Sequence, residues 1–495
     1  MTRLPLDLAH PMALRRRAGA VRALSGVAAL AISVTSGCAG WPFGGRSSEG
    51  LRGELRVVAP RVLARSITFP TVNPPGDERP LAEYLVGLLR GEGIEARVIA
   101  TPSEGSQVGR AAAWARVRGT GARRPIVLLS HLDVVPAEHS EWAIGPFEGV
   151  SAAGHVVGRG ALDAKGIAVV HLLALVEIAR RAAPLERDVI FLSVPDEETG
   201  GRNGAGFLVK EHAELVRGAE YVLAEGGAIM PGQGSSPDLW GVAFSEKSPC
   251  WLELRARGRA GHGSAAKGDG AIPTLIAALD RLRRWDQPIR VTPEVAAMFA
   301  ALAPYAAPED RAGLADLATA LREDDAFRRS FLSEPGRAAL VRNTVEVTVL
   351  EAGDSTNVVP AEARAQVDAR LLPGERCERF AERLREELDE PGVEIHLLLD
   401  FESRSSPIDT DLFRAIERVA ARSGRPAIVV PRAIAGFSDS HYFREQGAVA
   451  YGFVPRWLDP RDTRGIHGPN ERVSLTNLTR GVEVLVDILV ELDRP

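Results

Sequence analysis

The most constraining feature of this chain is that its short apolar runs stop, one after another, at a histidine or a carboxylate. Ile126 to Leu129 runs into Ser130-His131-Leu132-Asp133, and Val189 to Val194 into Pro195-Asp196-Glu197-Glu198-Thr199-Gly200-Gly201. Tyr221 to Leu223 ends at Glu225-Gly226-Gly227, and Ala448 to Val454 is followed by Ile466-His467-Gly468-Pro469-Asn470-Glu471. Runs this short, bounded by turn residues, read as buried strands. Helical stretches lie between them, for example Ile167 to Arg181, Gly206 to Leu215 and Leu412 to Ser423. The alternation predicts an α/β fold, a sheet covered by helices on both faces. In open sheets of that class ligands bind beyond the carboxyl ends of the strands, where these polar groups stand.

A second unit interrupts the first. Trp251 to Arg257 alternates like a half-buried strand, and Ile272 to Arg284 has the spacing of an amphipathic helix. Asn343 to Leu350 and Ala363 to Leu371 read as further strands, and Cys377 to Leu388 as another helix. Together they predict an inserted α+β domain, an antiparallel sheet with helices on one face. The expected division is residues 54–247 and 403–495 for the main domain and 248–402 for the insert. An Ala/Leu-rich helical segment at about 287–340 lies within the insert and carries no chemistry of its own.

Charge excludes some partners. The chain has 60 Lys+Arg against 65 Asp+Glu and no basic block with interleaved aromatics, which argues against a nucleic-acid surface. No apolar run reaches the roughly 18 residues of a membrane span. The amino terminus has a different character. Arg15, Arg16, Arg17 and Arg22 precede a small apolar stretch, Ala23 to Val34, and then Thr35-Ser36-Gly37-Cys38. A basic start, a short apolar core and small residues at a cut site describe an export signal over residues 1–38. Ending at Gly-Cys, it resembles a bacterial lipoprotein signal that leaves Cys38 as a lipidated first residue. The alternative is an ordinary signal removed together with Cys38. Residues 39–53 then form a linker, Gly/Ser-rich in its first part. Of the three cysteines, Cys250 and Cys377 are too few for a disulfide scaffold, and their pairing is left open.

Histidine and carboxylates at successive strand ends offer the N and O donors that zinc uses. Asp163, reached through Gly158-Arg159-Gly160 and followed by Lys165-Gly166 and a helix, adds another carboxylate. A carboxylate shared by two ions about 3.5–4 Å apart suits a co-catalytic pair.

Several ordered motifs resemble one family. They are Thr71-Val72-Asn73-Pro74-Pro75-Gly76, Ser130-His131-Leu132-Asp133-Val134-Val135-Pro136, Trp142 with Pro146-Phe147, and Gly158-Arg159-Gly160-Ala161-Leu162-Asp163-Ala164-Lys165-Gly166. Glu197-Glu198-Thr199-Gly200-Gly201 and Gly261-His262-Gly263-Ser264 complete the series. The chain is similar to the aminoacylase / carboxypeptidase S / succinyl-diaminopimelate desuccinylase family of co-catalytic zinc metallopeptidases, nearest its carboxypeptidase S-like branch. The resemblance implies a zinc-exopeptidase-type mixed sheet flanked by helices, with an inserted lid/dimerisation domain built on a ferredoxin-like sheet. It implies two Zn2+ (Co2+ or Mn2+ being alternatives), one on His131 and Glu225, the other on Glu198 and His467, with Asp163 bridging. Glu197 becomes the general base. Asp133 is expected to accept the second ring N–H of His131. His262 matches the lid histidine that stabilises an oxyanion. Asn357, Arg370 and Gly436 match substrate-contacting positions, Arg370 as a carboxylate fork.

The implied activity is hydrolysis of an amide or peptide bond in a dipeptide or N-acyl amino acid, with a homodimer through the lid left open. A catalytically silent small-molecule or peptide-binding relative and a di-metal esterase are the alternatives. The family's pocket loop is altered here to Gly436-Phe437-Ser438-Asp439-Ser440-His441, with His441 in place of an arginine. The histidines at 10, 139, 155, 171, 212 and 396 match no ligand position.

Overall fold

A computed structural model describes residues 51–494, apart from 104–108, 235, 266–267, 459–461 and 463–464. The expected export signal, Cys38 and most of the 39–53 linker lie outside the described residues. The last part of that linker is helical, because the first helix already begins at Leu51 and runs to Ile67. Leu55, Val58, Ala59, Val62 and Leu63 recur at helical spacing there and are buried.

The central mixed sheet runs, edge to edge, through Glu95–Ala100, Ala111–Val117, Val189–Val194, Ile126–His131, Tyr221–Ala224, Val449–Gly452, Asp238–Glu246 and Ala427–Ile434. Its centre is parallel: Ile126–His131 pairs in parallel with both Val189–Val194 and Tyr221–Ala224, and Val449–Gly452 continues the set. These strands therefore end on the same side, which gathers His131, the Glu197 turn and Glu225. Every residue of Ile126–His131 and Val189–Val194 is buried, as expected for strands covered on both faces.

Helices Leu51–Ile67, Lys165–Ala179 and Leu475–Leu492 pack on one another. On Lys165–Ala179 nearly every residue is buried, which explains its apolar character all round. A separate core joins Trp114, Val127, Leu129, Leu192, Val194 and Val222 to Leu208 and Phe443. The expected helix over 206–215 is instead a π-turn at Arg202–Gly206, a short helix at Phe207–Glu211 and a 3-10 turn at Ala213–Leu215. Gly204 is non-helical, and a side chain there would stand 1.7 Å from the Pro195 carbonyl oxygen. Close backbone approach behind the Glu197 turn overrides the helical pattern.

The lid sheet is antiparallel, in the order Thr344–Ala352, Glu362–Leu371, Ser248–Arg257 and Val393–Asp400. Leu252, Leu254, Ala365 and Val367 face Leu275, Phe380 and Leu384 of helices Ala271–Arg284 and Cys377–Leu388. Cys250 and Cys377 form a disulfide that ties strand to helix.

The 287–340 segment departs from the expected division. Its Val295 and Phe299, on helix Pro293–Leu302, share a core with Ala433 of the main sheet, and Ala435 packs against it. It is continuous in sequence with the lid but covers the edge strand Ala427–Ile434. That strand contains Pro431, a residue confined to sheet edges. Covering an edge removes unpaired backbone groups that would otherwise invite association.

Candidate active site

Four carboxylates and two imidazoles converge beyond the strand ends. His131 Nε2 lies 3.0 Å from Asp163 Oδ1, 3.6 Å from Glu225 Oε2 and 4.0 Å from Glu197 Oε2. His467 Nε2 lies 3.3 Å from both Asp163 Oδ2 and Glu198 Oε2. Asp163 thus turns one oxygen to each imidazole. The nitrogen and carboxylate atoms of His131, Asp163 and Glu198, and separately of His131, Glu197 and Glu225, lie close enough together to hold an ion.

The electrostatics are those of crowded anions. Burial and the neighbouring Glu225 charge raise the Glu197 carboxyl well above its usual range. Burial and Asp163 push Glu225 up to about 7, although His131 opposes this. Burial would lower His131, yet Glu225, Asp133 and Asp163 hold it well above the ordinary imidazole value. Hydrogen bonds to Asp163 and Glu198 bring His467 to about 10. Glu198 Oε1 is buried without a hydrogen-bond partner among the described residues. Such an excess of buried acid, with an orphaned oxygen, fits a pair of divalent cations, which would offset the mutual repulsion.

The Asp133 expectation needs correction. His131 Nδ1 lies 3.0 Å from the Asp133 backbone carbonyl oxygen, whereas the nearest carboxylate oxygen is at 3.6 Å. The carboxylate is engaged elsewhere: it accepts the backbone N–H groups of Glu197 (3.2 Å) and Glu198 (3.1 Å) and the Asn73 amide (2.8 Å). Asp133 therefore fixes the imidazole tautomer through its main chain and aims the Glu197-Glu198 turn through its side chain.

That turn has a second support. Asp196 sits in the left-handed region at φ 79°, and its carboxylate pairs with Arg110 Nη1 at 2.7 Å and accepts Asn203 N–H at 2.7 Å. Arg110 also clasps buried Glu78 at 3.0 and 3.2 Å. Sequence reasoning assigned no role to Asn73, Glu78 or Arg110. Only Asn73 carried a signal, the Asn-Pro-Pro-Gly motif.

The lid candidates make their hydrogen bonds away from this cluster. His262 lies on a two-residue ribbon of Gly261–His262 with Val358–Val359, Asn357 immediately precedes that second strand, and both are exposed. The His262 ring accepts from Ser264, and Gly263 N–H donates to the Asn357 carbonyl. Arg370 does not present a free fork: Nε and Nη2 donate to Asp368 at 2.6 and 2.9 Å. Its guanidinium also stacks on Trp251 and Phe437. Gly436 is exposed on the loop after Ala427–Ile434. His441 is 1% exposed and lies flat on Phe401 at 3.5 Å.

A family model described as Peptidase family M20/M25/M40 matches residues 127–491. The N-fatty-acyl-amino acid synthase/hydrolase PM20D1 of Xenopus tropicalis is 30% identical over 376 residues, covering 74% of this chain and 72% of that protein. Aminoacylase-1 of Sus scrofa is 28% identical over 375 residues, covering 74% of this chain and 79% of its own. Among solved structures, an M20 family metallo-carboxypeptidase of Sulfolobus solfataricus has the same fold, with TM-score 0.69 and 20% identity over 88% of this chain and 99% of that one. With the motifs, the fold and the acid-histidine cluster in agreement, the chain belongs to peptidase family M20/M25/M40 and is an enzyme, a metallopeptidase-type amidohydrolase.

Proposed function

We propose that this enzyme hydrolyses the amide bond of an N-acyl amino acid or dipeptide, with Glu197 as general base between two zinc positions. The observation that carries the reading is Asp163, whose two oxygens face His131 and His467 separately while Glu197 stands 4.0 Å from the inner imidazole. His131 and Glu225 would hold one ion, Glu198 and His467 the other, and Asp163 both. When bound, zinc would supply Lewis-acid polarisation of a scissile carbonyl and a lowered pKa, towards about 7, for water.

Glu197 would take the proton from the attacking water and deliver it to the leaving amine. Asp133 and Asp196 hold the main chain of the turn that carries Glu197. The exposed His262 on the lid is the candidate donor to the developing oxyanion. The lid also offers a surface for a homodimer.

The acyl amino acid class is favoured by the names of the relatives, a fatty-acyl-amino acid hydrolase and an aminoacylase. Export, with lipid attachment at Cys38, is part of the same proposal. The Cys250–Cys377 disulfide supports it, because such bonds persist in oxidising compartments.

The test is Glu197→Gln assayed on a panel of N-acyl amino acids, dipeptides and simple esters, with zinc, cobalt or manganese restored after chelation. The expected outcome is amide hydrolysis by the wild type and a loss of about 10²–10⁴-fold in the variant with two ions retained. Full activity in the variant removes Glu197 as the base, and turnover of esters alone replaces the amidase reading.

A further inference from the structure

The two halves of the cluster come from loops far apart in the chain, and one buried ion pair ties them together. The Glu471 side chain is 0% exposed. Its Oε2 accepts Arg159 Nη1 at 2.9 Å and Gly160 N–H at 2.9 Å. Its Oε1 accepts Leu162 N–H at 2.7 Å and the amide of Asp163 itself at 3.0 Å. The Glu471 carbonyl accepts Gly158 N–H at 2.9 Å, so the whole 158–163 turn wraps around this one residue. Arg159 extends the link in the other direction. Its Nη2 donates to the His467 carbonyl at 3.3 Å and the Pro136 carbonyl at 3.4 Å, and its guanidinium lies 5.4 Å from the Trp142 ring.

The same loop is also held by Asn470, whose Oδ1 accepts Ala143 N–H at 2.8 Å. The His467 side chain is 54% exposed, and its backbone and that of Asn470 adopt left-handed φ values of 57° and 59°. The His467 main chain is held at its carbonyl by Arg159. Asp163 is fixed through its amide, by Glu471. A buried carboxylate is costly unless its oxygens are satisfied, and here four N–H donors converge on it.

We propose that Arg159 and Glu471 are positioning residues that set the separation of Asp163 and His467 and thereby create the outer ion position. The inference rests on the two-ion reading above. His131 and Glu225 project directly from strand ends, so the inner position keeps two ligands that do not depend on the pair. The outer position has Glu198, Asp163 and His467, two of which do. In Glu471→Gln an amide NH2 replaces one acceptor oxygen and must face N–H groups donor to donor, which displaces the 158–163 turn. In Arg159→Lys the charge opposite Glu471 remains, but one ammonium cannot also reach the His467 and Pro136 carbonyls.

The experiment titrates zinc into the metal-stripped full-length protein against a chromogenic chelator. Wild type is expected to bind two ions. Both variants are expected to weaken the second by about 10–100-fold while the first stays within about threefold, and the activity lost at limiting zinc returns as zinc is added. A merely structural role predicts instead a lower Tm with both ions weakened alike, and that result overturns the proposal, as do two ions bound with wild-type affinity in both variants. If Glu471→Gln does not fold, Arg159→Lys alone decides. Wild type that binds fewer than two ions overturns the two-ion reading itself, and this proposal with it.

Discussion

His131 and His467 hold equivalent places on either side of Asp163, yet they are built in opposite ways. His131 ends a fully buried parallel strand, with a side chain 2% exposed and Nδ1 fixed by the Asp133 carbonyl. His467 rides a turn, with its side chain 54% exposed, and is held at its main chain by Arg159. The inner end inherits its geometry from the sheet; the outer end has its geometry imposed by a pair of polar residues. The difference teaches that a two-ion site of this type need not be equally rigid at both ends, and that metal content should respond unequally to damage.

The largest expected effect comes from testing that asymmetry directly. His131→Ala removes a ligand and leaves Glu197, Glu225 and Asp163 facing one another in a buried space. It is expected to abolish the inner ion and to lower turnover by at least about 10³-fold, beyond rescue by added zinc. His467→Ala removes an exposed candidate ligand, so metal content is expected to fall towards one ion per chain, with activity partly restored at high metal concentration. Metal analysis by mass spectrometry alongside kcat checks both. Equal losses in the two variants break the comparison.

A smaller effect distinguishes the support of the base from that of the ions. Asp133 touches both ends, through its carbonyl to His131 and through its carboxylate to the Glu197 and Glu198 amides. Asp133→Asn preserves the carbonyl but turns one acceptor into a donor. Turnover is expected to drop by about 10–100-fold, with the inner ion retained. Loss of the inner ion instead would mean that the carboxylate, not the carbonyl, fixes His131.

This division also explains what the sequence could reveal. Strand-end groups are legible because a short apolar run and the residue that follows it are neighbours in the chain, as with Val194 and the Glu197 turn. Asp163 and the inserted domain were likewise legible from the chain, and the family motifs added their roles, the bridging carboxylate and the lid. The Arg159–Glu471 link is not legible, because the partners are 312 positions apart and each alone reads as an ordinary charged loop residue. The destination of the 287–340 helices is hidden for another reason: Ala433 and Ala435, which receive them, carry side chains too small to leave a pattern. Arg370 is a different case. Its position was read correctly on the strand Glu362–Leu371, but its two-residue neighbour Asp368 occupies the fork. A side chain's availability depends on partners that pairing on one strand face supplies, not on its own type.

The smallest effect concerns a histidine with no acids beside it. His171, on Lys165–Ala179, is as buried as His131, and both of its ring nitrogens lack partners among the described residues. Burial, aided by the charge of Arg456, lowers it to about 3, the opposite of the shift at His131. The unfolded imidazole, near 6.5, binds a proton that the folded one refuses. Stability is therefore lost as pH falls from 6.5 towards 3, by about 2 kcal/mol at pH 5. His171→Leu removes both the unpaired nitrogens and the titration. It is expected to be close to neutral or mildly stabilising at pH 7.5 and to gain that further margin over wild type at pH 5, read from urea unfolding at the two pH values. The same advantage at both pH values would show that His171 carries its proton in the fold, and burial would no longer separate it from His131.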